Sequence, residues 1–319
     1  MDVSERDDTK KIKGLATVGS SLSLSLYAVV LLLCFTSFRL LFKAPREQSN
    51  SMRRFLFAYL AFMFSLSTIA VGLDLCLNFK FPEAVFSSAA IGEDLRLCRE
   101  LGCFTIRLAE KCCVTLAIWA ADGFMIWRCT VLYSGIILVG QRIVKFICFI
   151  MVIVAIGAGL LYTIPFTNVK ADTTLAIFSF ITLTINCTVT VLIVGRLLYH
   201  RRYLMETLGP GHGSPYLRLI ALCIESAALV VKFNVVLIVL ILAESQRNLS
   251  FILLEMMVHI YVISPFLIIF KVAHDKVYPP NSTSLGTRDA EDIVDRDLKA
   301  LEFSKEPTSS MVSESALES

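Results

Sequence analysis

Seven long apolar runs separated by short polar stretches organise this chain. They cover Leu15–Phe38, Phe55–Phe79, Leu108–Tyr133, Ile143–Ile164, Thr174–Gly195, Leu217–Leu242 and Leu249–Phe270. A helix rising about 1.5 Å per residue crosses the hydrocarbon core of a bilayer in about 20 residues. Each run meets that length. The pattern predicts an all-α fold, a polytopic membrane bundle of seven transmembrane helices over residues 15–271. A short N-terminal segment, residues 1–14, precedes it, and a tail, residues 272–319, follows. The first run is too long for a signal-peptide core and lacks a clear small-x-small cleavage site, so it is expected to stay as a helix.

The polar connections predict an orientation, because Lys and Arg concentrate in cytoplasmic loops. Arg39, Lys43, Arg46, Arg53 and Arg54 flank the first loop, Arg142 and Lys145 the third, Arg196, Arg201 and Arg202 the fifth. Lys271 and Lys276 follow the last run. Odd loops and tail share one side, so the N-terminus is expected outside and the C-terminus in the cytoplasm. The plasma membrane is the expected location. In the second loop, Leu95, Cys98 and Leu101 recur at helical spacing among charges, which predicts a short helix outside the membrane. The fifth loop carries the breaker "GPGHGSP". The tail is acidic and rich in Ser and Thr, and disorder is expected there apart from one short amphipathic helix over Val294, Leu298 and Leu301.

Composition agrees with lipid as the main solvent: 56% of residues are hydrophobic, 18% are charged, and mean hydropathy is +0.70. The net charge of +3 is too small to point to nucleic acid. Most of the ten cysteines (Cys34, Cys112, Cys113, Cys129, Cys148, Cys187 and Cys223 among them) fall inside the runs, where thiols pack as small apolar groups. Cys76, Cys98 and Cys103 lie near a helix end or in the second loop and are the candidates for a disulfide. No CxxC pair or Cys/His spacing suggests zinc, so no metal or other cofactor is expected. HExxH, GxSxG and matched intramembrane aspartates are missing, so an enzyme is not expected.

The informative exceptions are ionisable groups inside the runs. A charge at mid-bilayer costs about 2.5–3.5 kcal/mol on insertion scales, so such groups face a partner or a cavity. The candidates are Asp122 and Arg128 in the third run, Glu225 and Lys232 in the sixth, Glu255 and His259 in the seventh. The helical rise puts Lys232 and Glu255 at one level in the outer half. It gathers Asp122, Arg128 and Glu225 in the inner half, with His259 between the groups. Asp122 and Arg128 are six residues apart and point in different directions. Glu225 is therefore the expected partner of Arg128. Two readings compete for the set: structural glue that sets helix register, and a ligand site or switch. For His259 alone, packing outweighs metal binding. Trp119 and Trp127 read as packing or interface anchors.

"ADGFMIWRC" in the third run, "IESAAL" in the sixth and "SPFLIIFKVAHDK" in the seventh resemble a set of uncharacterised seven-helix membrane proteins of basidiomycete fungi. The matching positions are Asp122, Gly123, Arg128, Cys129, Glu225, Ser226 and Pro265. The resemblance implies a fungal multi-pass membrane protein with receptor-like topology. The G-protein-coupled receptor signatures depart from it: no Asp-Arg-Tyr follows the third run, and no Asn-Pro-x-x-Tyr stands in the seventh. The expected function is a receptor-like sensor with a polar cluster between helices three, six and seven. Its expected partners are the lipid bilayer, a small-molecule or lipid ligand, and a cytoplasmic partner at the loops and tail. A small-molecule transporter and a non-catalytic membrane organiser are the alternatives.

Overall fold

The computed structural model describes residues 3–43, 50–80, 103–133, 138–164, 171–208, 214–243 and 247–277. These residues form seven helices: α1 (Val3–Lys43), α2 (Asn50–Lys80), α3 (Cys103–Leu132), α4 (Leu138–Thr163), α5 (Ala171–Leu208), α6 (Ser214–Leu242) and α7 (Arg247–Val277). Each contains a stretch long and apolar enough to cross a bilayer. The chain is a multi-pass membrane protein.

Prolines punctuate these helices. Pro45, Pro82, Pro165 and Pro279 each follow within two residues of the end of α1, α2, α4 and α7, and Gly209-Pro210 follows α5. A proline ring disfavours helical geometry in the residue before it, so the helix stops just ahead. Pro215 stands in the first turn of α6, where its missing N–H costs nothing. Where no breaker stands, the helix runs on beyond the apolar stretch. Thus α1 begins at Val3 rather than at Leu15, and α5 continues past Gly195 to Leu208. Pro265 is the exception inside a helix: α7 continues through it, and the Tyr261 carbonyl loses its donor four residues on.

The helices pack in sequence order, with α7 returning against α1, while α3 also contacts α5 and α7 and α2 also contacts α7. That makes α3 and α7 the central elements. Within their membrane windows 61% and 72% of residues are buried, against 22% for α1 and α4. Leu32 and Phe35 of α1 and Phe146 and Phe149 of α4 stand exposed, as a lipid-facing surface requires. Val30, Leu60, Met63, Ile118, Leu237, Tyr261 and Phe266 form the main core with almost no exposure.

Close helix contact is set at two glycines. The Trp119 indole donates to the Ala155 carbonyl at 2.9 Å, tying α3 to α4. Gly159 makes room for it: a Cβ there would stand 2.6 Å from Trp119 Nε1. At Gly19 of α1, a Cβ would stand 2.6 Å from Glu255 Oε2 of α7. The second-loop helix around Leu95 and the tail helix around Val294 lie outside the described residues. So do Cys98 and the side chain of Cys103, and Cys76 carries a free thiol.

Candidate functional site: polar nodes inside the bundle

Hydrogen bonds inside lipid are satisfied within the protein or not at all. Two buried nodes in the middle of the bundle meet that demand differently. The first is built on His259 of α7, which is 1% exposed. Its Nε2 lies 3.0 Å from Ser23 Oγ of α1, and its Nδ1 lies 2.8 Å from Ser67 Oγ of α2. An imidazole with one N–H donates to one serine and accepts from the other, in either tautomer. Both ring nitrogens are occupied, and three helices are joined.

The second node spans α3, α5, α6 and α7. Asp122 is 3% exposed, and its Oδ1 accepts a hydrogen bond of 3.0 Å from Asn186 Nδ2 of α5. The same Asn186 amide donates to Thr182 O in its own helix. On α6, Asn234 repeats the device: its Nδ2 donates to Val230 O at 2.9 Å and to the Tyr261 hydroxyl of α7 at 2.7 Å. In both residues the local carbonyl must face an N–H, which settles which end of the amide is nitrogen. Tyr261 and Tyr59 lie within electrostatic reach of Asp122. Tyr59 donates to Ala120 O at 3.3 Å. This node is incomplete, because Asp122 Oδ2 and Asn234 Oδ1 are buried without a hydrogen-bond partner.

The remaining candidates lie toward the two ends. Glu255, half-buried against Gly19, shares the end at which α1 begins with Asp74, Arg107 and Glu110, all within electrostatic reach. Lys111 of that end stands over the Tyr162 ring at 5.5 Å. Lys232 is exposed. At the opposite end Arg128 is half-buried, with its guanidinium 5.6 Å from the centre of the Phe124 ring and in electrostatic reach of Cys223. The expected Arg128–Glu225 contact is not formed. Glu225 faces outward, its side chain 75% exposed, and pairs with Lys271 of α7 at 3.5 Å. The rotation of α6 turns Glu225 away from the bundle.

Of the six candidates, none hydrogen-bonds to another. Asp122 and His259 instead recruit uncharged partners: Asn186, Ser23 and Ser67. Asn234 and Tyr261 complete the second node. A search of the spans confined to charges misses these groups, whereas an amide in an apolar run is itself a signal, since it too must find partners in lipid. Among the described residues no group of three His, Cys, Asp or Glu side chains is placed to hold a metal ion. Comparison with protein-family models, curated proteins and solved structures yields no match.

Proposed function

We propose that this multi-pass membrane protein is a receptor-like seven-helix sensor of the plasma membrane, with its N-terminus outside and its C-terminus in the cytoplasm. The observation that carries the reading is Asp122: a carboxyl in the middle of the bundle that uses only one of its two oxygens. A purely structural contact gains nothing from an acceptor left bare in low dielectric, whereas a bistable helix contact has two arrangements to choose between. Orientation is supported by the basic residues around the first, third and fifth connections, among them Arg39, Lys43, Arg142, Lys145, Arg196, Arg201 and Arg202. Resemblance of the Asp122, Arg128 and Glu225 segments to fungal seven-helix proteins accords with the same reading.

Transport ranks lower on a specific observation. Transporter sites are typically built on broken helices near the midplane, and each described helix passes through its span unbroken, α7 included. Hydrogen exchange on the protein in lipid nanodiscs tests the proposal. Asp122→Asn should change protection at the far ends of α6 and α7, around Leu217 and Lys271, as a shifted two-state equilibrium requires. Changes confined to the turns next to residue 122 would leave a static scaffold and end the sensor reading.

A further inference from the structure

Of the six candidate ionisable groups, Lys232 has found no company among the described residues. Twelve residues of the 23-residue membrane window of α6, Ile220–Leu242, precede it and ten follow, so it stands at the middle. It is exposed, and among the described residues it has neither an ion pair nor a hydrogen bond. A cation at such a place is normally turned into the bundle or held by a partner, because lipid offers it nothing. Escape along the helix does not serve. The nearer end of the window is about 15 Å away along the axis and the farther about 18 Å. A lysine stem spans neither distance, and the Cα–Cβ bonds of a helix lean toward its N-terminus, away from the nearer end.

The surface around Lys232 has a pattern of its own. Glu225, Ala228, Lys232, Val235, Val239 and Leu242 follow one another at steps of three and four, and all are exposed except the half-buried Ala228. This is the heptad spacing by which two helices mesh along a seam, and left-handed packing of that kind is common between membrane helices. Within the chain α6 packs chiefly on α5 and α7, with its other sides. A single polar group on such a seam fixes register and partner. Glu225, one heptad away, is already engaged with Lys271.

Charge decides the occupant. Two copies sharing one orientation in the membrane and related by an axis along its normal would set Lys232 against Lys232. The carboxyls that another face could offer inside the membrane windows are Asp74, Glu110, Asp122 and Glu255, and none of them is exposed. Lipid phosphates lie beyond the ends of the window, out of reach by the same distances. We propose that the outward seam of α6, from Glu225 to Leu242, is a docking surface for the transmembrane helix of another membrane protein, one that carries an Asp or Glu at the middle of its span. The carboxylate meets Lys232 and sets the register, while Val235, Val239 and Leu242 supply the packing. This does not rest on the sensor reading, because a sensor, a transporter or a scaffold could each carry such a partner.

The test is energy transfer in phosphatidylcholine vesicles at neutral pH, from the labelled full chain to labelled synthetic transmembrane peptides. The peptides share one Leu/Ala host helix and differ only in a central Glu, Gln, Leu or Lys. The Glu peptide should bind about three- to tenfold more tightly than the Gln and Leu peptides. Lys232→Leu should abolish that preference without lowering the melting temperature of the chain, and Lys232→Glu should transfer it to the Lys peptide. Equal binding of the Glu, Gln and Leu peptides overturns the proposal. So does a Glu preference that persists in Lys232→Leu, which would place the contact on another face. Energy transfer between copies of the chain itself that Lys232→Leu removes would make a second copy the occupant, and also overturns it. Should Lys232→Glu fail to insert, the wild type and Lys232→Leu decide the matter between them.

Discussion

The His259 node and the Asp122 node lie in the same bundle, both almost without exposure, yet one is closed and the other open. His259 has two hydrogen-bonding atoms and two serines to meet them. Asp122 has two oxygens and one amide. Both use uncharged partners from neighbouring helices, so the difference is not one of polarity. It is one of completeness. In low dielectric a satisfied polar network rigidifies its surroundings, while a part-satisfied one carries a standing cost that a ligand or a second conformation can relieve. On the proposed sensor reading, the closed node is structure and the open one the switch.

That contrast breaks or sharpens under substitution. The largest effect belongs to His259→Ala, which strands two serine hydroxyls and leaves a hole where α1, α2 and α7 meet. A loss of about 2–4 kcal/mol is expected, read as a lower melting temperature and a reduced folded yield in detergent. Gly159→Ala should follow with about 1–3 kcal/mol, because its Cβ would overlap the indole ring and Nε1 of Trp119 and end the bond to Ala155 O. The indole is rigid and cannot yield cheaply, so a Gly159→Ala protein of unchanged stability would mean that α3 and α4 are not packed this closely.

Gly19→Ala meets a softer obstacle, the end of the flexible Glu255 side chain, and should cost only about 1 kcal/mol. Adding Glu255→Ala should restore most of it. A double variant as unstable as the sum of the singles would remove the contact from the account. Asp122→Asn is expected within about 1 kcal/mol of the wild type in either direction, since it removes an unpaired buried charge while keeping shape. A loss as large as that of His259→Ala would close the gap between the nodes and make Asp122 structural. Smallest is the exposed Glu225–Lys271 pair, whose loss in Glu225→Ala should change stability by less than about 1 kcal/mol. Charge reversal there gives a second check. Arg128→Glu with Glu225→Arg should show no mutual rescue, whereas Glu225→Lys with Lys271→Glu should recover whatever each single loses.

Seven spans were legible because apolar runs of bilayer length have one physical solution: a helix closes its own backbone hydrogen bonds and needs no partner to do so. The ends of the helices were less legible from hydropathy than from proline, since α1 and α5 continue past their apolar stretches until a breaker stops them. The presence of ionisable groups inside the spans was likewise legible. Their partners were not. Only the packing of the bundle decided that Glu225 turns toward Lys271 and Arg128 toward Phe124.

Rotation is set by the sum of many side-chain contacts between helices, and no single span encodes that sum. The same holds for the pairing of Asp122 with Asn186, of Asn234 with Tyr261, and of His259 with Ser23 and Ser67, each of which joins helices distant in sequence. Along the chain, the residues determined what must be buried in lipid and which groups would need company there. Tertiary packing alone decided which company each one found, and left Asp122 Oδ2 and Asn234 Oδ1 among the oxygens without any.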